Sequence, residues 1–115
     1  MLLALATSED FGLLRDRLDF YLRNKKHEDV VIISGGARGA DKLAIQYANL
    51  RGLKCEIYYA NWKQYGKRAG YLRNEKMAHV GHACVAFWDG KSRGTEMMIK
   101  LAKKYQLLTR VVSFA

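Results

Sequence analysis

The chain has 115 residues, half of them hydrophobic, and a formal charge of +9 from 20 Lys and Arg against 11 Asp and Glu. That length suits one compact domain, residues 1–115, and is too short for two ordinary ones. No run of about 18 apolar residues is present, and Met1 to Ala6 is too short and too poor in basic residues for a secretory signal, so no membrane span and a cytoplasmic setting are expected.

In chain order, Leu2 to Ala6 reads as a buried strand, followed by Ser8 as a candidate N-cap and a helix with Phe11, Leu14, Leu18 and Leu22 on one face. Val30 to Ile33 is a β-branched run suited to a strand covered on both faces, and it leads into Ser34-Gly35-Gly36-Ala37-Arg38-Gly39-Ala40-Asp41. A helix from Asp41 to Arg51 ends at Gly52, and Cys55 to Tyr59 forms the next strand. Asn61 to Gly70 is the least regular stretch, after which Tyr71 to Val80 is helical. Ala83 to Phe87 is a fourth strand that delivers a second glycine turn, Asp89-Gly90-Lys91-Ser92-Arg93-Gly94-Thr95. A helix over Gly94 to Tyr105, with Met97, Met98, Leu101 and Ala102 inward, and a strand over Arg110 to Ser113 complete the pattern. The alternation predicts an α/β fold: a Rossmann-like three-layer domain with a mostly parallel five-stranded sheet and helices on both faces. Cys55 and Cys84 fall in predicted strands and are expected to be reduced and buried, with no metal site.

The two glycine turns carry the chemistry. A strand that ends in glycines and opens a helix offers backbone N–H groups and a positive dipole end, which suit phosphate. Gly35, Gly36 and Gly39 would let a phosphate or ribose approach closely, Arg38 could pair with phosphate, and Asp41 could accept a sugar hydroxyl or simply cap its helix. Gly90, Ser92, Gly94 and Thr95 offer a comparable cradle, unless the segment is only a strand-to-helix connection. Neither turn is a Walker loop or a GxGxxG fingerprint. Between them, Trp62, Tyr65, Lys67, Arg68, Arg73 and Asn74 either stack a base and neutralise phosphate or form a solvated basic helix edged by Trp62. His27, His79 and His82 follow no metal spacing.

The first glycine turn, the Trp62, Tyr65-Gly66 and Ala69-Gly70 group, Arg73-Asn74 with Met77, and Ala86 to Gly90 with Ser92, Gly94 and Thr95 together resemble the YspA/YpsA-related branch of the SLOG superfamily, named for its Smf and Lonely Guy members. The resemblance runs over nearly the whole chain. It implies a nucleotide or nucleotide-derived, ADP-ribose-like ligand, a sensor or processing role in bacterial or phage conflict, and a homodimer by analogy with Lonely Guy proteins. It brings Thr7 and Ser8 into the ligand-binding set, although Thr7-Ser8-Glu9 stands where related chains carry a Gly-Ser-Arg type turn. The Lonely Guy hydrolases place a glutamate three residues after the turn threonine, and Met98 stands there in this chain.

Three activities follow as expectations. The first is binding of a nucleotide-type phosphate ligand, with no required cofactor and with Mg2+ as an optional companion of the phosphate. The second is hydrolysis of an N-glycosidic or phosphate bond, with Arg73, Asp89 and Asp41 as catalytic candidates. The third is nucleic-acid binding, in keeping with the charge and the DNA-processing Smf relatives; it ranks last because the charges are scattered and glycine turns fit single phosphates.

Overall fold

The computed structural model describes residues 2–6, 11–35 and 40–113, with side chains for 11–35 and 42–113. Five strands, β1 (Leu2–Ala6), β2 (Val31–Gly35), β3 (Lys54–Tyr58), β4 (Ala83–Trp88) and β5 (Leu108–Ser113), form one sheet in the order β3-β2-β1-β4-β5. Every pairing is parallel. Helices α1 (Phe11–Tyr21), α2 (Ala40–Arg51), α3 (Trp62–Tyr65), α4 (Ala69–Val80) and α5 (Arg93–Lys104) provide the crossovers.

The two-residue period of a strand sends neighbouring side chains to opposite faces, and the core divides accordingly. Ile32, Val85 and Phe87 join Leu14 and Leu18 of α1 and Ala44, Tyr47 and Ala48 of α2 on one face. Ile33 and Cys84 join Met77 and Ala78 of α4 and Met98, Leu101 and Ala102 of α5 on the other. The paired faces explain why β2 and β4 are apolar runs rather than alternating strands. Asp19 of α1 binds Arg51 of α2 through both carboxylate oxygens, at 2.9 and 2.6 Å, and accepts a 2.7 Å hydrogen bond from the Tyr47 hydroxyl, which ties these helices together.

Some boundaries differ from the sequence reading. The stretch over 61–70 contains helix α3 and a 3-10 turn, Gly66–Arg68, and α4 begins at Ala69 rather than Tyr71. The Asn61 side chain accepts from the Gln64 backbone N–H and thereby caps α3. Helix α2 starts at Ala40, so Asp41 lies inside its first turn and is not the N-cap. Strand β5 begins at Leu108, earlier than Arg110, because it pairs with the whole of β4.

β2 and β4 both flank β1, and successive crossovers build outward from this centre in opposite directions. The crevice beyond the carboxyl ends of strands at such a reversal is where open α/β sheets bind ligands. Gly35 and Trp88, the last residues of β2 and β4, lie at that edge, and Trp88 leads there into the second glycine turn.

Candidate functional site

Arg73 projects from α4 onto the end of β2. A Cβ built on Gly35 would lie 2.7 Å from Cζ, Nε and Nη1 of Arg73, so the guanidinium rests directly on bare backbone. Arg73 Nε donates to Asn74 Oδ1 at 2.8 Å, and Asn74 Nδ2 lies 3.5 Å from Met97 Sδ on α5. Asn74 is only 7% exposed, so it is a buried polar side chain with partners on both sides and it orients the arginine beside it. Gly70, one turn earlier, leaves room for the Trp62 indole: its Cβ would sit 3.2 Å from Trp62 Cη2. Trp62 is otherwise 59% exposed, packed on Gly70 by its ring edge with most of its surface open to solvent.

The second turn is highly ordered by its own side chains. Asp89 Oδ1 accepts from the backbone N–H groups of Lys91 and Ser92, each at 2.8 Å, and Gly90 takes a left-handed φ of 82° that a side chain would strain. Those backbone donors, Ser92 first, hold the Asp89 carboxyl below its ordinary pKa. Ser92 caps α5: its Oγ accepts from the Thr95 N–H at 3.3 Å and lies 3.2 Å from Thr95 Oγ1. The Trp88 indole N–H donates to the Ser92 carbonyl at 3.0 Å, fastening the strand end to the helix start.

With the Ser92 and Thr95 N–H groups already engaged, the donors that helix geometry leaves for a ligand are those of Arg93 and Gly94. Gly94 is exposed, and a Cβ there would meet nothing within 4 Å. Packing therefore does not require a glycine, while a helical glycine costs about 0.5–1 kcal/mol relative to alanine.

The structure thus brings Gly35, Arg73 and Asn74 together at the end of β2, and Asp89, Gly90, Ser92, Gly94 and Thr95 at the end of β4. Asn74 joins the groups through Met97. Thr7, Ser8, Gly36, Arg38 and Gly39 lie outside the described residues, as does the Asp41 side chain. Met98 is 1% exposed among Met77, Leu101 and Ala102, so an apolar core side chain occupies the place of the Lonely Guy glutamate. Cys84 is buried, while Cys55 is only half-buried, and neither is part of a disulfide. Among the described residues, no three His, Cys, Asp or Glu side chains gather as metal ligands, and no helix is long and apolar enough to cross a membrane. Sequence reasoning missed Tyr58, Tyr59 and Lys76, which line a cavity of about 300 Å³ next to Arg73. The spacing of Lys76 three residues after Arg73 was the available signal, since it puts both on one helical face.

Together these features define a Rossmann-like α/β domain with a polar, glycine-lined edge. The model of the YspA, cpYpsA-related SLOG family matches residues 4–65, and the chain belongs to that family. Gene 61 protein of Mycobacterium phage D29 is 40% identical over 81 residues, a match covering 65% of this chain and 65% of the phage protein. The chain therefore spans about two thirds of that relative's length. A solved structure described as a predicted subunit of tRNA methyltransferase from Methanocaldococcus jannaschii superposes with a TM-score of 0.51 at 14% identity, over 96% of this chain and 67% of that one. That likeness concerns the fold.

Proposed function

We propose that the protein binds a nucleotide or nucleotide-derived phosphate ligand at the carboxyl edge of the sheet, as a sensor or sequestering domain. The observation that carries this reading is the Arg73 guanidinium laid on Gly35 and steered by Asn74. A planar cation held against bare backbone at a strand end suits a phosphate oxygen that needs both a fork of N–H donors and close approach. The unforced glycine at position 94 supports the same reading from the α5 side. Ser92, Thr95 and Asp89 shape that turn, and Trp62 offers an exposed ring to a base.

Binding is favoured over hydrolysis by two positions. Met98 supplies no carboxylate, and Asp89 is an ionised turn former with a lowered pKa, which is unsuited to donating a proton near neutrality. Magnesium would enter with the phosphate rather than through a preformed cage.

The test is a thermal-shift titration with AMP, ADP, NAD, ADP-ribose and cyclic ADP-ribose, with and without Mg2+, alongside short single-stranded DNA. A ligand at about a hundred times its dissociation constant adds roughly 2.7 kcal/mol, which for a small domain is a rise on the order of 10 °C. The rise should vanish in Arg73→Ala and in Gly35→Ala, whose new methyl group displaces the guanidinium. No rise with any nucleotide, beside a salt-sensitive rise with DNA, would replace this reading with nucleic-acid binding.

A further inference from the structure

Next to Arg73, the edge of the sheet opens into a cavity of about 300 Å³ lined by Glu56, Ile57, Tyr58, Tyr59, Arg73 and Lys76. Its two cations stand on consecutive exposed-side turns of α4, three residues apart, and so point the same way. Beneath them the sheet supplies matching positions. Arg73 lies on Gly35 at the end of β2, and the Lys76 ammonium is 5.7 Å from the ring centroid of Tyr58 at the end of β3.

Gly35 and Tyr58 are cross-strand partners, so the backbone sites under the two cations are about 4.8 Å apart, one strand spacing. Among the described residues no carboxylate forms an ion pair with Lys76. Glu56 is the one acid on the cavity wall, where the cations outnumber it two to one. Tyr58 is half-buried, and burial first and the Glu56 charge second raise its phenol pKa, which leaves a neutral hydroxyl and an aromatic face toward the cavity.

A single phosphate at the β2 end would engage Arg73 and leave Lys76 with only a distant ring. Two linked anionic groups would engage both. We propose that the ligand is a nucleoside diphosphate or a pyrophosphate-bridged nucleotide, with its second phosphate seated between Arg73 and Lys76 against Tyr58. This assignment rests on the nucleotide reading above and extends it to Tyr58 and Lys76, which form a second anionic subsite.

The test compares calorimetric affinities of AMP, ADP and ADP-ribose, with inorganic pyrophosphate and orthophosphate as competitors, in the parent, Lys76→Ala and Lys76→Arg. In the parent, ADP and ADP-ribose should bind at least about tenfold more tightly than AMP, roughly the worth of one charge-assisted hydrogen bond. Pyrophosphate should displace ADP where orthophosphate does so poorly. Lys76→Ala should bring ADP down to the affinity of AMP while AMP is unchanged, and Lys76→Arg should keep the preference. Equal binding of AMP and ADP to the parent, or equal weakening of both by Lys76→Ala, would overturn the second subsite and leave nucleotide binding intact. If AMP, ADP and ADP-ribose all fail to bind the parent, the nucleotide reading falls and the subsite with it.

Discussion

Asn74 does two jobs with one buried amide: its oxygen orients Arg73, and its nitrogen contacts the α5 methionine Met97. Asn74→Ala should cost about 1–3 kcal/mol in denaturant titrations, because it strips the partner from a part-buried donor, and it should also weaken phosphate binding by freeing the arginine. A stability loss with unchanged binding would separate Asn74 from the site. Cys84 illustrates burial without function: desolvation pushes its thiol up to about 12, so at mildly alkaline pH it should resist thiol reagents until the protein unfolds. The half-buried Cys55 should react first, as mass spectrometry of partly modified protein would show.

At the scale of elements, α5 contrasts a residue that stabilises its helix with one that weakens it. Ser92→Ala removes the cap and should lower stability by about 0.5–2 kcal/mol. Gly94→Ala should raise the melting temperature of the free protein, by an amount equivalent to about 0.5–1 kcal/mol, while reducing affinity for phosphate ligands. Unchanged affinity in Gly94→Ala would mean that no ligand approaches that backbone. The alternation of strands and helices was legible because apolar runs such as Val30 to Ile33 and Ala83 to Phe87 are long, and each is followed by glycine. α3 was not legible, because a four-residue helix capped by Asn61 has no room for periodicity. Likewise, Arg73 and Asn74 stood out in the sequence, but their partners Gly35 and Met97 are distant in the chain, and only folding reveals which glycine the arginine covers.

For the whole molecule, pH provides a test of how charge is held. The Arg51 hydrogen bonds hold Asp19 below its ordinary pKa, and the backbone donors of its turn do the same for Asp89. A carboxylate whose pKa is lower when folded contributes stability above its unfolded value and loses that contribution as pH falls through the folded value. Acidification also removes negative charge from a chain that already carries +9, so repulsion grows as the pairs dissolve. Stability followed by circular dichroism should therefore decline from just below the ordinary carboxylate range, and Asp19→Asn should flatten that decline while lowering the plateau at neutral pH. An acid limb as steep in Asp19→Asn as in the parent would remove Asp19 from the account. On the alkaline side, Tyr47 has a raised pKa, chiefly from burial and then from Asp19, so its contribution persists below the ordinary phenol value and is lost as pH rises past it.

The position of β1 has a further consequence, for the order in which the molecule is assembled. Its two neighbours are far apart in the sequence: Leu3 pairs with Ile32 on one side and with Ala83 on the other. The second of these contacts joins positions 80 residues apart, and such distant parallel pairings are slow to form. Of the five strands of this sheet β1 is synthesised first, and it must wait for β4 before both of its edges are covered. Until β4 arrives, the edge of β1 away from β2 lacks its strand partner, and an open edge of that kind is where a strand from another chain can pair.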